Sequence, residues 1–409
     1  MSQESVSSAV RSLYEKYPYP SRIPGGSADP FLDYLTAKSQ NPQSGRRSFL
    51  DAGCGTGLNT LGGAAIYPHY DVFGCDLNRI AMEQIQNEAK DLGISNLQVQ
   101  EQDLLNLDPS FGPERGFDVI YSTGVIHHTS DPVGILKSLA SRLAPQGILR
   151  LMVYGELGRT GLYRFAEVAK RLFGQPEHEW ASRVAQSKEL LQELHQTTAD
   201  KVPFMPPVFR GPWQDAMRVD DIEFADRYLN PHDQPFTIET LKAALQDADL
   251  HLLDWFEPRE WDLKQLLPQF AASPACPQDD WSRYELVERL YDRPKLDLYL
   301  VKKDFQPRQL DLSPTTYLGL NPQLFLSCLK VRGTSFHRSA QLRLGPEEQL
   351  DRDEGLFLEN LGLKFASLTD VLMSLPNPTL DHWMPVVQRL VERDFLFSPH
   401  VDPASLPVS

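Results

Sequence analysis

Three glycines at alternate positions follow an acidic residue at the end of an apolar segment. The run is DAGCGTG, and it places Gly53, Gly55 and Gly57 after Asp51. Glycine has no Cβ, so such a turn can adopt positive φ and let a ligand lie against bare backbone. A dinucleotide-binding turn would have the spacing GxGxxG, which this run lacks. The pattern therefore favours a ligand other than a dinucleotide.

Two further aspartates end the next strand-like segments. The carboxylate of Asp76 can accept hydrogen bonds from both hydroxyls of a ribose, or it can cap the helix that follows. Asp103, with Leu104 and Leu105 after it, can accept a hydrogen bond from an adenine amino group, or it can be a turn aspartate. Because Asp76 and Asp103 end the second and third strand-like segments, directly after the segment that ends in the glycine turn, we favour a nucleoside site.

These residues must be positioned by an alternation of strands and helices. Apolar segments predict strands, and segments of helical spacing separate them. The strands are expected at 48–51, 71–76, 96–103, 117–122 and 147–154, and the helices near 57–66, 78–92 and 131–143. This order predicts a parallel sheet with helices on both faces. Ligands of such sheets bind at the carboxyl ends of the strands, where the aspartates fall.

The chain resembles the class I S-adenosylmethionine-dependent methyltransferases. The matching segments are FLDAGCGTG (49–57), GCDL (74–77), QDL (102–104) and FDVIYS (117–122). The resemblance implies S-adenosyl-L-methionine as cofactor and methyl transfer as activity. By resemblance, Asp51 contacts the methionine amino group, Asp76 the ribose and Asp103 the adenine. The full cofactor-binding set that we predict is Asp51, Gly53, Cys54, Gly55, Thr56, Gly57, Asp76, Leu77, Asp103, Leu104, Ser122 and Gly124.

The resemblance also implies the fold class. We expect an α/β fold with a Rossmann-like seven-stranded methyltransferase sheet, mostly parallel with an antiparallel last strand. The sixth strand is expected at 251–256, after a helix at 236–249, and the seventh at 295–301. A helical insertion and a small C-terminal α+β domain complete the expected architecture.

Two adjacent histidines follow the fourth strand. A histidine has a near-neutral pKa that suits a general base, and such a base is needed only if the acceptor atom carries a proton. His127 and His128 are the candidates, with His127 nearer to the strand end; orienting the loop is their alternative role. The family's enzymes that methylate adenine or glutamine carry an NPPY-type signature here. Its absence argues against nucleobase-amine or amide acceptors.

Aromatic residues that precede and follow the cofactor-binding core in the sequence are the candidates for contact with the substrate. Tyr14, Tyr17 and Tyr19 resemble the N-terminal lids of some bacterial methyltransferases, or they anchor the segment to the core. Phe204 and Trp213 lie in a Pro-rich stretch that either lines an apolar pocket or straps over helices. The acids Asp221, Glu223 and Asp226 either bind a cationic group or form a solvated helix face.

Five regions are expected along the chain. They are an N-terminal helix and aromatic lid at 1–44, the cofactor-binding core at 45–155, a helical and Pro-rich substrate insertion at 156–235, the completion of the core at 236–304, and an accessory domain at 305–409 that loosely resembles a winged helix.

Composition limits the partners. The 409 residues carry a formal net charge of −15, which disfavours a broad nucleic-acid surface and makes DNA binding a poor hypothesis. The four cysteines form no CxxC pair and no Cys/His cluster of metal-binding spacing, so no metal is expected. Neither a membrane span nor a secretory signal is recognised, and we expect a cytoplasmic protein.

We expect a small-molecule substrate and a possible homodimer. A protein or transfer-RNA acceptor, or a non-catalytic module that binds S-adenosylmethionine, is the alternative.

Overall fold

Seven strands form one sheet in a computed structural model of the protein. The structure describes residues 3–21, 26–40, 45–174, 179–201, 208, 218–323, 329–332, 335–338, 348–362 and 365–400. The strands are β1 (Arg47–Ala52), β2 (Tyr70–Asp76), β3 (Leu97–Glu101), β4 (Phe117–Thr123), β5 (Leu143–Tyr154), β6 (Leu250–Trp255) and β7 (Lys295–Lys302). All seven agree with the expected strands to within a few residues at each end.

The strand order in this sheet is β3-β2-β1-β4-β5-β7-β6. The first five strands pair in parallel, and β7 is antiparallel to both β5 and β6. The expected Rossmann-like sheet with its antiparallel last strand is therefore confirmed. Since the order reverses at β1 and β4, the carboxyl ends of these strands face the crevice in which doubly wound sheets bind ligands.

Helices cover both faces of the sheet. The described helices up to this point of the chain are α1 (Gln3–Lys16), α2 (Leu32–Ala37), α3 (Leu58–Ile66), α4 (Arg79–Asp91), α5 (Pro132–Arg142), α6 (Thr160–Phe173), α7 (Trp180–Lys201), α8 (Asp221–Leu229), α9 (Ile238–Asp247), α10 (Leu263–Leu266), α11 (Pro268–Ala271) and α12 (Asp280–Leu290). Of these, α1, α6, α7 and α8 pack together in an apolar cluster of their own. Alternate residues of a strand enter opposite apolar cores. In β1, Leu50 packs in one core and Phe49 in the other, where it meets Tyr121 of β4.

Local chemistry sets the beginnings of the helices near the site. The side chain of Asn78 accepts a hydrogen bond from Ala81 N and caps α4. Asp131 caps α5 in the same way through Gly134 N, with Pro132 in the first turn. These caps fix where each strand-to-helix connection turns, and hence where the residues between them lie.

The C-terminal region forms a separate apolar cluster beside the main sheet. Its described elements are β8 (Tyr317–Leu320), β9 (Leu329–Arg332), β10 (Ser335–Arg338), β11 (Glu348–Gln349), α13 (Arg352–Leu361), β12 (Ala366–Ser367), α14 (Leu368–Met373), α15 (Leu380–Glu392) and β13 (Leu396–Phe397). Helices α13 to α15 pack around Trp383 and Phe357. Tyr34 of α2 donates a hydrogen bond to Asp394, which ties this cluster to the core. Its winged-helix character stays a prediction.

A membrane-crossing helix needs about 20 mainly apolar residues. Among the described residues, no helix reaches both that length and that apolar character.

Candidate active site

The glycine turn after β1 adopts the backbone that its sequence requires. Gly53, Gly55 and Gly57 have φ values of 80°, 51° and 84°, in the region that favours glycine. The N–H groups of Gly53 and Cys54 both donate to Cys75 O of β2, which holds the turn across the strand ends. A Cβ on Gly55 would lie 2.3 Å from the carbonyl oxygen of Tyr19. The turn is therefore a bare-backbone cradle with the N-terminal segment directly over it.

Two carboxylates flank this cradle. Asp76 accepts hydrogen bonds from Gly55 N and Asn78 N, each at 3.0 Å, and so braces the turn from β2. Asp51 is 3 % exposed and accepts a 2.6 Å hydrogen bond from Thr60 Oγ1. Burial raises the pKa of Asp51 to about 6, because the charged form loses water. A positively charged group bound beside it would restore the ionised form.

A cavity of about 1210 Å³ lies at the carboxyl edge of the sheet. It collects most of the residues singled out from the sequence: Tyr14, Tyr19, Asp51, Gly53, Cys54, Gly55, Thr56, Asp76, Leu77, Asp103, Leu104, Gly124 and His128. Gly57, Ser122, His127 and Tyr17 lie outside its described lining. Gly57 begins α3 beside Ile85, and Ser122 is fully buried within the sheet. Phe204 and Trp213 lie outside the described residues.

One end of the cavity suits a purine. Leu104, Leu105 and Ile135 line it beside Gln102 and Asp103. Gln102 is buried, its Oε1 accepts from Asp108 N, and its Nε2 has no hydrogen-bond partner in the described part of the chain. A buried donor without a partner costs free energy, so this amide is placed for a ligand acceptor. Sequence reasoning missed Gln102, although it stands within the QDL segment.

The cradle, the carboxylates and this unpartnered amide together fit an adenosine that carries a cationic tail.

The two histidines occupy different environments in the short turn Ile126–His128. His127 is fully buried, with its ring centroid 3.8 Å from that of Tyr154. Burial, with His128 and Arg159 nearby, holds the pKa of His127 well below its usual range. His128 instead lines the cavity, and its Nδ1 lies 2.6 Å from Asp233 Oδ1. The structure thus brings His128, which is further from the strand end, to the cavity wall.

A carboxylate keeps His128 basic. Burial alone would lower the pKa of His128, but the charge of Asp233 outweighs it and raises the pKa above the usual value. The Nε2 atom of His128 has no hydrogen-bond partner among the described residues. Asp233 follows α8, far from His128 in the sequence, and no local pattern pointed to it. The arrangement is that of a base whose second nitrogen forms an ion pair with a carboxylate.

Asp226 of α8 lies behind the cavity wall and is not on a solvated helix face. It is 2 % exposed and accepts hydrogen bonds from Tyr14 OH at 2.8 Å and Tyr154 OH at 3.0 Å. Arg159 lies with its guanidinium carbon 3.4 Å from the ring centroid of Tyr154. One buried carboxylate therefore joins the N-terminal helix, the end of β5 and α8.

The N-terminal segment makes further contacts with α8 and with the cradle. Ser21 Oγ donates to Asp220 at 3.0 Å, and burial with nearby Asp226 and Glu223 raises the pKa of Tyr19. Pro20 O accepts a 2.9 Å hydrogen bond from Thr56 Oγ1 in the glycine turn. The segment thus lies between α8 and the glycine turn, above the cavity.

Replacing Gly55 by Ala tests this close approach. Both Gly55 and Gly93 have positive φ, but a Cβ on Gly93 would meet no atom within 4 Å. We expect Gly93→Ala to cost about 1 kcal/mol of unfolding free energy and leave ligand binding unchanged. Gly55→Ala adds overpacking of about 1–3 kcal/mol, so S-adenosylhomocysteine should bind it at least about fivefold more weakly in calorimetry. Equal affinities for the two variants would contradict the tight contact.

Comparisons with known proteins agree with this geometry. Residues 50–149 match a family model described as a methyltransferase domain. An uncharacterized protein of Synechococcus sp. is 29 % identical over 300 residues, which cover 70 % of this chain and 69 % of that protein. A ubiquinone biosynthesis O-methyltransferase of Actinobacillus pleuropneumoniae is 30 % identical over 135 residues, 31 % of this chain and 56 % of the relative.

A solved structure has the same fold over most of the chain. PKMT2 from Rickettsia typhi, in complex with AdoHcy, aligns with a TM-score of 0.69 and 18 % identity. The alignment covers 94 % of this chain and 78 % of that one. At this identity the likeness supports the fold.

Proposed function

We propose that the chain is a class I, S-adenosylmethionine-dependent methyltransferase, and that it methylates a small molecule whose acceptor atom carries a proton, with His128 as the general base. The observation that carries the proposal is the Nε2 atom of His128, which is buried on the cavity wall without a partner among the described residues. His127, the other candidate from the sequence, keeps a packing role against Tyr154.

The cofactor supplies a methyl group on a positively charged sulfur, so the protein's task is chiefly alignment. Asp76 takes the ribose hydroxyls, Asp103 and Gln102 the adenine edge, and Asp51 the amino group. The backbone of the glycine turn lies along the tail, with Thr123 and Gly124 at the reacting end. The support for these roles is that each of these residues lines the same cavity.

His128 Nε2 accepts the proton that the acceptor atom loses. Asp233, 2.6 Å from Nδ1, orients the ring and stabilises the imidazolium that forms. Only the neutral imidazole can act, and the pKa of His128 is raised above its ordinary value. Turnover should therefore rise with pH until it passes through this pKa.

The shape of the acceptor side favours a small substrate. It is bordered by the N-terminal segment at Tyr14 and Tyr19, by α8 at Glu223 and Arg227, and by the loop at 290–295. Three walls from separate parts of the chain leave room for a compact acceptor beside the cofactor, since drug-sized ligands occupy about 300–1,000 Å³.

A labelling experiment tests the acceptor class. The protein is incubated with methyl-labelled S-adenosylmethionine and separately with the low-molecular-weight and the protein fractions of a cell extract. We expect label in a small molecule, and no transfer by the His128→Gln variant. Label in the protein fraction alone would replace the small-molecule proposal by a macromolecular acceptor, and no transfer to either fraction would favour a non-catalytic module.

The N-terminal segment acts as a lid that α8 holds closed. Its hydrogen bonds to Asp226 and Asp220 hold it against α8, so we expect the segment to move away from the cradle only when they break. Tyr14 is the lid residue whose hydroxyl donates to a buried carboxylate, and such a bond contributes about 1.5–3 kcal/mol.

Phenylalanine at position 14 tests the lid. Tyr14→Phe removes the hydroxyl that Asp226 accepts and leaves the ring in place. We expect S-adenosylhomocysteine to dissociate about tenfold faster, as measured by stopped-flow fluorescence. Tyr17→Phe, the same change on the same segment but outside the cavity lining, is the control and should release the ligand at the wild-type rate. If the two variants release it equally fast, Tyr14 does not hold the lid.

A further inference from the structure

A second, smaller cavity lies among helices α6, α7 and α8. Its volume is about 150 Å³, and none of its described lining residues belongs to the larger cavity. The residues that matter are Tyr163 and Lys170 of α6 and Arg183 and Ser187 of α7. A single buried water needs far less room, about 10–15 Å³, so this space is large enough for a small ligand.

Two buried polar atoms at this cavity lack partners. Arg183 Nε and Ser187 Oγ make no hydrogen bond within the part of the chain that the structure describes. Ser187 is only 1 % exposed, although serine is seldom fully buried. Polar atoms in such positions are almost always satisfied by protein, water or ligand. Both can donate a hydrogen bond.

The charges around the cavity are mainly positive. Arg183 and Lys170 contribute cations, and the lining carboxylate of Glu167 accepts a 2.7 Å hydrogen bond from Arg171 Nε. The two cations come from different helices, Lys170 from α6 and Arg183 from α7. Such a set suits a compact anion with acceptor oxygens on several sides better than a planar one.

We propose that this cavity binds a small tetrahedral oxyanion with the chemistry of inorganic phosphate. Arg183 gives the charge-assisted hydrogen bond, Ser187 donates from its hydroxyl, and Lys170 adds charge. The site is separate from the methyl-transfer chemistry and does not depend on it. The two cavities are near each other: the ring centroid of Tyr163, which lines the smaller one, lies 5.6 Å from the guanidinium carbon of Arg159, which lines the larger one.

Thermal unfolding and calorimetry of the full chain test the site, with inorganic phosphate as the probe and chloride used to keep the ionic strength constant. We expect a saturable rise in melting temperature with phosphate. Arg183→Gln should weaken phosphate binding about tenfold or more. Arg164→Gln makes the same charge change at an exposed position of α6 outside the cavity and should bind phosphate as the wild type does.

Ser187→Ala provides a second variant that removes one hydroxyl and keeps the charge, should Arg183→Gln fail to fold. It should weaken phosphate binding and leave the affinity for S-adenosylhomocysteine unchanged. Equal phosphate affinity in the wild type and Ser187→Ala, or an equal response to acetate, would overturn the proposal. So would the absence of any saturable response, which would mean that the cavity holds water alone.

Discussion

Replacing Asp233 by Asn should slow methyl transfer by about two orders of magnitude or more while the protein still binds S-adenosylhomocysteine. General-base catalysis contributes about 10²–10⁴ to rates of this kind. Asparagine keeps the size of the side chain but removes the charge that lies 2.6 Å from His128 Nδ1. The measurement is single-turnover transfer to the acceptor fraction that takes up label.

The pH dependence separates this role from a merely structural one. In the wild type the pKa of His128 is raised by Asp233, so the rate should climb with pH through a value above 6.5. Without the carboxylate the pKa falls, and the climbing part of the profile should move to lower pH while the plateau drops. Asp247→Asn, which alters an exposed carboxylate of α9 outside the cavity, should keep both the plateau and the wild-type profile. An unshifted profile in Asp233→Asn would exclude Asp233 as the partner of the base.

Replacing Asp76 by Ala should weaken S-adenosylhomocysteine binding roughly thirtyfold or more, equivalent to about 2 kcal/mol for the loss of charged hydrogen bonds. The effect has two sources. The ribose loses its acceptor, and the glycine turn loses the carboxylate that accepts from Gly55 N and Asn78 N. Isothermal calorimetry of the full chain measures the change.

A carboxylate at the opposite end of the same strand is the control for this variant. Asp71 is half-exposed and pairs with Arg46 at 2.7 Å. We expect Asp71→Ala to bind S-adenosylhomocysteine with wild-type affinity. If Asp76→Ala binds the ligand as tightly as Asp71→Ala does, Asp76 has no part in the site.

Much of the site was predictable because its determinants are local. A positive φ at three alternate residues requires glycine, and DAGCGTG supplies it. The alternation of apolar segments with helical ones fixed the sheet, and parallel strands bring their carboxyl ends to one edge. Asp51, Asp76 and Asp103 had to meet there, and all three line one cavity.

The choice between the two histidines could not be made from the sequence. Adjacent residues in a short turn point in different directions, and their directions depend on the backbone angles of Val125, at φ −121° and ψ −64°. The tertiary structure turns His127 towards Tyr154 and His128 towards the cavity. The preference for His127 rested on its being nearer along the sequence to the end of the fourth strand, and that nearness does not determine which way a side chain points.

The sequence by itself determined the sheet and the cradle, because each depends on residues that are neighbours along the chain. Only the tertiary structure decided the acceptor side. Tyr14 and Asp226 are 212 residues apart, and Tyr154 and Asp226 are 72 apart. The sequence around a helical aspartate such as Asp226 does not distinguish a buried carboxylate from one on a solvated helix face. Its role is set by what packs over it, and that is a property of the fold as a whole.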